Sequence, residues 1–153
     1  MMKRISIPRL EPAAYEAMSK LELYTKGSTV PPPLRELIKI RASQINRCAY
    51  CIDMHTRDAI KMGETPRRIF ALAAWQESPL FTDLERAVLQ LTEEVTLIGQ
   101  TGVRDETYRK VLTFFSDNEL AQIIMQIIVI NSWNRMAIST NQIFEPKEGP
   151  AGV

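Results

Sequence analysis

The sequence predicts an all-α protein with a single domain. Apolar residues recur with a helical period over most of the chain, no stretch sustains the alternation of a strand, and proline, glycine and capping signals divide it into helix-length segments. With 153 residues, 45% of them hydrophobic and 24% charged, the chain can bury about 68–70% of its unfolded surface without disulfide or metal staples. We assign residues 1–145 to the domain and expect the tail at 146–153, which contains glycine and proline, to be frayed.

The charge and hydropathy of the chain disfavour several classes of protein. Nineteen Lys and Arg residues against 18 Asp and Glu residues leave a net charge of +1, which gives no reason to expect nucleic acid as a partner. The basic first residues are not followed by the apolar segment of a signal peptide, and no window reaches the roughly 18 apolar residues of a membrane span. We therefore expect a cytoplasmic protein that does not bind membranes.

Proline and glycine delimit the first two predicted helices. Pro12 stands near the start of the first helix and Gly27 beyond its end. The predicted buried face of this helix is Leu10, Ala14, Met18 and Leu21. The second helix opens at Pro33, because proline fits a first turn but not a helix interior, and it breaks around Asn46. Its predicted buried face is Leu34, Leu37, Ile38, Ala42 and Ile45.

The next two predicted helices have clear stop and start signals. The third runs from about Cys48 to Met62 and stops at Gly63. The fourth begins at Thr65 and Pro66, a capping residue followed by proline at the first helical position, and ends near Trp75. Its predicted inward residues are Ile69, Leu72 and Ala73.

A long amphipathic helix follows, opened by a capping box of Thr82 and Glu85 and closed by Gly102. Its predicted apolar stripe is Leu84, Ala87, Val88, Leu91, Val95 and Ile98. The charged residues of the same helix are predicted to form a solvated face, made of Glu85, Arg86, Glu93 and Glu94.

The last predicted helix is apolar nearly all round. Helical periodicity continues through Tyr108, Val111, Leu112 and Phe115. A second capping box, Ser116 with Glu119, opens the final helix, in which only Gln122 and Gln126 are polar from residue 120 to 130. Such a helix is buried on several sides, as the central element of a bundle or at a subunit interface. The β-branched run at 127–130 leaves a buried strand as the alternative.

Two cysteines, Cys48 and Cys51, stand close together in a chain whose single histidine is His55. A close pair in a protein without a secretory signal indicates a redox-active dithiol or a metal site rather than a structural staple. A structural zinc ion normally takes four ligands, so these three residues would need a carboxylate such as Glu36 or Asp53 to complete the set. We therefore favour a redox function and expect no metal.

The cysteines and the histidine share one face of the predicted third helix. Cys51 lies about 60° and His55 about 20° around the helix axis from Cys48. The helix N-terminus stabilises a thiolate at Cys48, and His55 is placed to move a proton for Cys51. Glu36 is the best group to orient the imidazole, although an unbroken helix would hold it about 18 Å from Cys48. The chain must therefore fold back near Asn46.

The pattern Glu36-x11-Cys48-x2-Cys51-x3-His55, within LRELIKIRASQINRCAYCIDMH at 34–55, resembles the core of the AhpD-like alkylhydroperoxidases of the carboxymuconolactone decarboxylase superfamily. The likeness is close over residues 34–63. Segments that resemble peroxidase-related members follow downstream: FALAAW at 70–75, FTDLERA at 81–87 and NSWNRMAI at 131–138.

The resemblance implies an AhpD-like helical bundle, assembly into trimers or hexamers, and a peroxidase cycle that needs no cofactor. It implies that Cys51, deprotonated through His55 and Glu36, attacks an organic hydroperoxide or hydrogen peroxide and becomes a sulfenic acid. Cys48 then forms a disulfide with it, which an external dithiol of the lipoyl or another type reduces. Position in the helix favours Cys48 as the thiolate, whereas the family favours Cys51; we assign Cys51 to the peroxide and Cys48 to the reductant.

Residue 50 is a tyrosine where some members of the family carry a histidine. A phenol, with an ordinary pKa of about 10, donates hydrogen bonds but is a poor proton shuttle at neutral pH, which predicts slow peroxidase turnover. Tyr50, Trp75 and Trp133 are candidates for the walls of a substrate pocket, with packing in the core or an interface as the alternative. Hydrogen bonds across a subunit contact are predicted for Asn131, Asn134 and Arg135.

Two other functions stay open. One is a disulfide oxidoreductase that does not act on peroxide, or an oligomeric redox sensor whose dithiol switches an interface. The other is an enzyme of the carboxymuconolactone decarboxylase type, which works with acid and base groups. The presence of both cysteines argues against the second of these.

Overall fold

The computed structural model describes residues 4–144, which form a bundle of nine α-helices with no strand in that range. The all-α prediction is confirmed, and the tail predicted at 146–153 lies outside the described residues. The helices are α1 (Ile7–Leu10), α2 (Pro12–Lys26), α3 (Pro32–Asn46), α4 (Ala49–Lys61), α5 (Pro66–Ala71), α6 (Asp83–Thr96), α7 (Ile98–Thr101), α8 (Asp105–Leu112) and α9 (Asp117–Ser139). A 3-10 turn, Leu72–Ala74, continues α5.

Helix α3 occupies the middle of the bundle and packs against α4, α6 and α9. Leu34 and Ile38 face a core shared with α6, α8 and α9, whereas Leu37 and Ile40 face a second core shared with α4, α5 and the 3-10 turn. Ile38 is fully buried, which contributes about 1.5–3 kcal/mol. The predicted inner face of this helix is therefore correct except for Ile45, which is half-buried.

Helix α9 is helical throughout, including residues 127–130, so the strand alternative is wrong. Ile123, Ile127 and Ile130 are almost fully buried, and the first two join the core against α3 and α6 at helical spacing. The predicted capping box is present, because the Ser116 hydroxyl accepts from the Glu119 backbone N–H while the Glu119 carboxylate accepts from the Ser116 N–H. Helix α9 is thus a central element of the bundle.

Four predicted inward residues are instead exposed: Ala14 of α2, and Leu10, Ala73 and Ile98 at or beyond the ends of their helices. Leu10 is 52% exposed because α1 ends there and α2 begins two residues later. Ala73 is exposed because the 3-10 turn tightens the chain and buries Trp75. Ile98 is 60% exposed because α6 ends at Thr96, before the stripe can continue.

Helix α2 buries little of its own surface. Its predicted inner face is exposed at Ala14 and half-buried at Met18 and Leu21, and Thr25 is its one buried residue. Leu23 is 70% exposed to solvent. This helix therefore covers the bundle without contributing to its core.

The charged face predicted for α6 is not solvated. Glu94 is buried and accepts hydrogen bonds from the backbone N–H of Arg104 at 3.0 Å and from the hydroxyl of Thr107 at 2.7 Å. Glu93 accepts from Nε of Arg41 at 2.8 Å and from the indole N–H of Trp75 at 2.7 Å. These carboxylates fasten α6 to its neighbours. None of the helices between residues 4 and 144 combines the length and the apolar character needed to cross a membrane.

Candidate functional site

The turn between α3 and α4 reverses the chain at the position where the sequence predicts a break. Arg47 has a left-handed backbone conformation with φ of 58°, and its N–H donates to the carbonyl of Gln44 at 3.2 Å. The N–H of Cys48 donates to the carbonyl of Ser43 at 3.0 Å. These two bonds form a Schellman motif, a helix ending that usually carries glycine where Arg47 stands. The motif brings α4 back against α3 and Cys48 to the start of α4.

An asparagine network holds this turn against α9. The side-chain amide of Asn46 donates to the carbonyl oxygens of Asn131 and Asn134, both at 2.9 Å. Nδ2 of Asn134 donates to the hydroxyl of Ser43 at 3.0 Å, and Nδ2 of Asn131 donates to the hydroxyl of Thr96 at 3.0 Å.

The hydrogen bonds predicted across a subunit contact are thus found within the chain. Asn131 and Asn134 bond Asn46 and their other neighbours, and Arg135 donates to the carbonyl oxygens of Asn131 at 2.9 Å.

Cys48 and Cys51 form a disulfide, with their Cα atoms 5.4 Å apart. Helix α4 begins at Ala49, one residue later than predicted, so Cys48 is its N-cap and has an extended backbone. Cys51 lies in the first helical turn. Both residues are buried.

Glu36 and His55 form a buried pair, and His55 lies one helical turn after Cys51 on α4. Nδ1 of His55 lies 2.9 Å from Oε2 of Glu36. Burial raises the pKa of Glu36, but the hydrogen bond from His55 and the charges of Lys39 and His55 outweigh that effect, so that this pKa lies below its ordinary value. The carboxylate is therefore ionised at neutral pH, Nδ1 carries the proton that it accepts, and Nε2 is left as the basic nitrogen.

Lys39 is a site residue that the sequence analysis missed. Its side chain is only 5% exposed, and its ammonium lies 3.2 Å from Oε1 of Glu36 and 3.3 Å from Oε1 of Glu22. Lys39 stands three residues after Glu36 on α3, a spacing that puts both on one helix face. That spacing is the signal that could have found it, because a lysine on the same face as a buried carboxylate can pair with it.

A cavity of about 490 Å³ opens next to these residues. Glu36, Cys51 and His55 line it together, so the structure brings three of the predicted catalytic residues to one cavity. Of the predicted wall residues, Tyr50 and Trp133 also line this cavity.

Part of the cavity wall is aromatic. The ring of Trp133 packs edge-on against Tyr15 of α2, with centroids 5.4 Å apart and planes inclined by 72°. Trp75 is not brought to this cavity as predicted: it is buried in the second core, and its indole N–H is held by Glu93. Its packing against Leu37 and Leu72 is the alternative that the sequence left open.

Cys48 lines a different cavity, of about 310 Å³, next to the C-terminal end of α9. Tyr50, Ala137 and Gln142 line both cavities and form the wall between them. The two disulfide-bonded cysteines therefore line separate cavities.

The donors around the site do not form a metal centre. Between residues 4 and 144, no three His, Cys, Asp or Glu side chains are grouped so that they could hold a metal ion. The arrangement is instead a disulfide and a carboxylate-bonded imidazole, with Cys51 and His55 lining the same cavity. Such a group can move a proton to or from a thiol during thiol–disulfide chemistry.

The sequence is similar to a known protein family and to a bacterial protein. Residues 12–94 match the model of the carboxymuconolactone decarboxylase family. The chain is 45% identical over 139 residues to the uncharacterized protein YdfG of Bacillus subtilis (strain 168), which covers 91% of this chain and 95% of that protein.

Solved structures share the fold. ATU0492 of Agrobacterium tumefaciens, a protein of unknown function for which an AhpD role in antioxidant defence has been suggested, matches with a TM-score of 0.92 at 36% identity, over 95% of this chain and 100% of that one. An uncharacterized peroxidase-related protein from Silicibacter sp. TM1040 matches with a TM-score of 0.76 at 20% identity, over 87% of this chain and 71% of that one. The chain therefore belongs to the carboxymuconolactone decarboxylase family and has its AhpD-like all-α fold.

Proposed function

We propose that the protein is an antioxidant enzyme that reduces hydroperoxides through a cycle of the Cys48–Cys51 dithiol. The observation that carries this proposal is the shared cavity: Cys51 opens onto the same space as a histidine whose orientation is fixed by the ionised Glu36. The volume of about 490 Å³ accommodates an organic hydroperoxide as well as hydrogen peroxide.

In the proposed cycle, Nε2 of His55 takes the proton of the reduced Cys51. The thiolate attacks one peroxide oxygen, so that an S–O bond forms while the O–O bond breaks, and the alcohol or water leaves with a proton returned by His55. Cys48 then attacks the sulfenic sulfur, which forms the disulfide and releases water. Glu36 keeps the imidazole in the tautomer that this exchange needs.

The cycle closes when an external dithiol reduces the disulfide. We assign the first exchange to Cys48, because it faces a cavity of its own and can be approached while peroxide occupies the other opening. A linear dithiol of the lipoyl type is the proposed reductant. These steps need the reducing conditions of the cytoplasm, which is the proposed location.

We also propose that the chain assembles into a homo-oligomer, a trimer or a hexamer. The support is the exposed apolar surface of α2, where Leu23 is 70% and Tyr24 is 55% exposed. Large exposed apolar side chains close together on one helix are typical of protein interfaces.

A second candidate is a disulfide exchanger or redox sensor that does not turn over peroxide. The observation that favours it is Tyr50, which stands between the cysteines on the wall of both cavities and is a poor proton shuttle at neutral pH. A decarboxylase-type activity has less support, because a reaction that works with acid and base groups has no use for the Cys48–Cys51 dithiol.

Steady-state reduction of an organic hydroperoxide with a lipoyl-type dithiol separates these candidates. The peroxidase proposal predicts multiple turnovers by the wild type and none by Cys51→Ser or Cys48→Ser. Oxidation of the thiols once, without turnover in excess peroxide and reductant, would support the sensor. Ser19→Ala, an exposed change on α2, is the matched control and retains activity.

A further inference from the structure

Lys39 is a buried cation for which the proposed cycle has no step. Its ammonium bridges two helices, because Glu22 belongs to α2 and Glu36 to α3. Burying a lysine is costly unless its charge is paired and hydrogen-bonded. Two carboxylates within 3.3 Å meet that need, and one of them is the carboxylate that holds His55.

The charges around the Glu36–His55 pair come from three helices. In addition to Lys39, the groups that line the cavity are Glu22 and Lys26 of α2, Arg35 of α3 and Asp58 of α4. Helix α9 contributes uncharged residues, Trp133 and Ala137.

Two of these charged groups, Arg35 and Asp58, have partners outside the Glu36–His55 pair. Asp58 pairs with Lys61 at 3.1 Å, and the guanidinium of Arg35 donates to backbone carbonyls of Thr25 and Lys26. Lys39 is thus the cation in direct contact with Glu36.

We propose that Lys39 is the positioning residue of the relay: held by Glu22, it fixes and neutralises the Glu36 carboxylate and thereby keeps His55 unprotonated at Nε2. This inference rests on the proposed function, because only a relay needs a free Nε2. A proton added to the pair brings its positive charge close to the ammonium of Lys39, and like charges in a buried site repel. Lys39 therefore lowers the affinity of the pair for a second proton, and Glu22 moderates that effect.

The single histidine of the chain makes the test direct. We would follow the ring signals of His55 by NMR against pH in the disulfide form of the untagged protein, where neither cysteine titrates. In Lys39→Met, the midpoint of the ring titration moves up by about one pH unit, because an adjacent buried cation is gone. Lys39→Arg, which keeps the positive charge, has the wild-type midpoint. Lys20→Met removes an exposed positive charge from α2 and leaves the midpoint unchanged.

Glu22→Gln tests the same idea without removing the lysine. This change deletes the negative charge of Glu22, which partly offsets the positive charge of Lys39. The midpoint of the His55 titration therefore moves down instead of up. Opposite shifts in the two variants support the inference, and a loss of packing alone would not produce them. An unchanged midpoint in Glu22→Gln, or shifts of the same sign in both variants, would overturn it. If Lys39→Met does not fold, Glu22→Gln and Lys39→Arg carry the test.

The proposed function can fail independently, because the titration needs no peroxide. Opposite shifts without any peroxide turnover would leave the role of Lys39 in place and overturn the peroxidase. Peroxide turnover with unshifted His55 titration midpoints in both variants would support the peroxidase and overturn the role of Lys39.

Discussion

Nδ1 of His55 lies 2.9 Å from Oε2 of Glu36, although the two residues belong to consecutive helices that are joined by a tight turn. The contact depends on the left-handed Arg47, which reverses the chain so that α4 packs against α3. A residue twelve positions before the dithiol in sequence thereby becomes the partner of the histidine that serves it. The proposed chemistry follows from this contact.

Glu36→Gln tests the role of that carboxylate. The amide is neutral and can present its NH2 group to Nδ1, which favours the wrong tautomer of His55. We expect turnover to fall by about 10²-fold or more, a loss typical of a disturbed acid–base group. The measurement is kcat/KM for an organic hydroperoxide, with the exposed Glu16→Gln as control. Activity within twofold of the wild type in Glu36→Gln would remove Glu36 from the mechanism.

Asn46→Ala tests the network that anchors the dithiol turn. The change deprives the carbonyl oxygen of Asn134 of its donor in a buried site, so we expect a loss of about 1–3 kcal/mol in the free energy of unfolding. Urea denaturation of the reduced protein measures it. Asn118→Ala, which removes an exposed asparagine near the start of α9, is the comparison and should cost less. Equal costs would show that the network contributes nothing specific.

The lowered pKa of Glu94 predicts how the free energy of unfolding depends on pH. Burial raises the pKa of Glu94, but hydrogen bonds from the Arg104 backbone, Thr107 and the Arg104 side chain outweigh that effect and lower it. A lowered folded-state pKa contributes stability above the unfolded value, near 4.5, and the contribution is lost as the pH falls through the folded value.

Glu94→Gln should therefore be less stable at pH 7, by about 1–3 kcal/mol, and should lose less stability than the wild type on acidification below about pH 4.5. Denaturant unfolding at a series of pH values measures both effects. Parallel pH curves for the two proteins would contradict this account of Glu94.

Leu23→Glu tests the proposed interface on α2. A charge in place of an exposed leucine costs the folded subunit little, whereas it is buried and unpaired if α2 meets another subunit. We expect the mass measured by light scattering to fall toward that of the monomer, 17.5 kDa, with unchanged helix content. The exposed Lys20→Glu is the control. A mass unaffected by Leu23→Glu would place the interface elsewhere.

Local signals predicted the fold well. Both capping boxes form, at Thr82 and at Ser116, because their hydrogen bonds involve residues only three positions apart. The break near Asn46 was also predictable, although the left-handed residue there is Arg47 and not the glycine that normally marks such an ending.

Long-range partners were out of reach of the sequence. The pairing of Lys39 with Glu22 was not predicted, because Glu22 lies 17 positions earlier, on another helix. Glu94 looked solvated because Arg104 and Thr107 approach it only after α6 ends and α8 begins. Trp75 lies in the core instead of the predicted pocket wall because the chain forms a 3-10 turn just before it. Helical periodicity alone does not predict such a turn.

The most direct test of the proposed chemistry is trapping of a sulfenic acid at Cys51. Reduced Cys48→Ser would be mixed with one equivalent of an organic hydroperoxide and a dimedone-type reagent, and the modified peptide would be identified by mass spectrometry. The account predicts stoichiometric labelling of Cys51 in Cys48→Ser and strongly reduced labelling in the double variant that carries both Cys48→Ser and Glu36→Gln. Absence of label at Cys51, with its thiol still free after peroxide treatment, would contradict the account and leave disulfide exchange as the function.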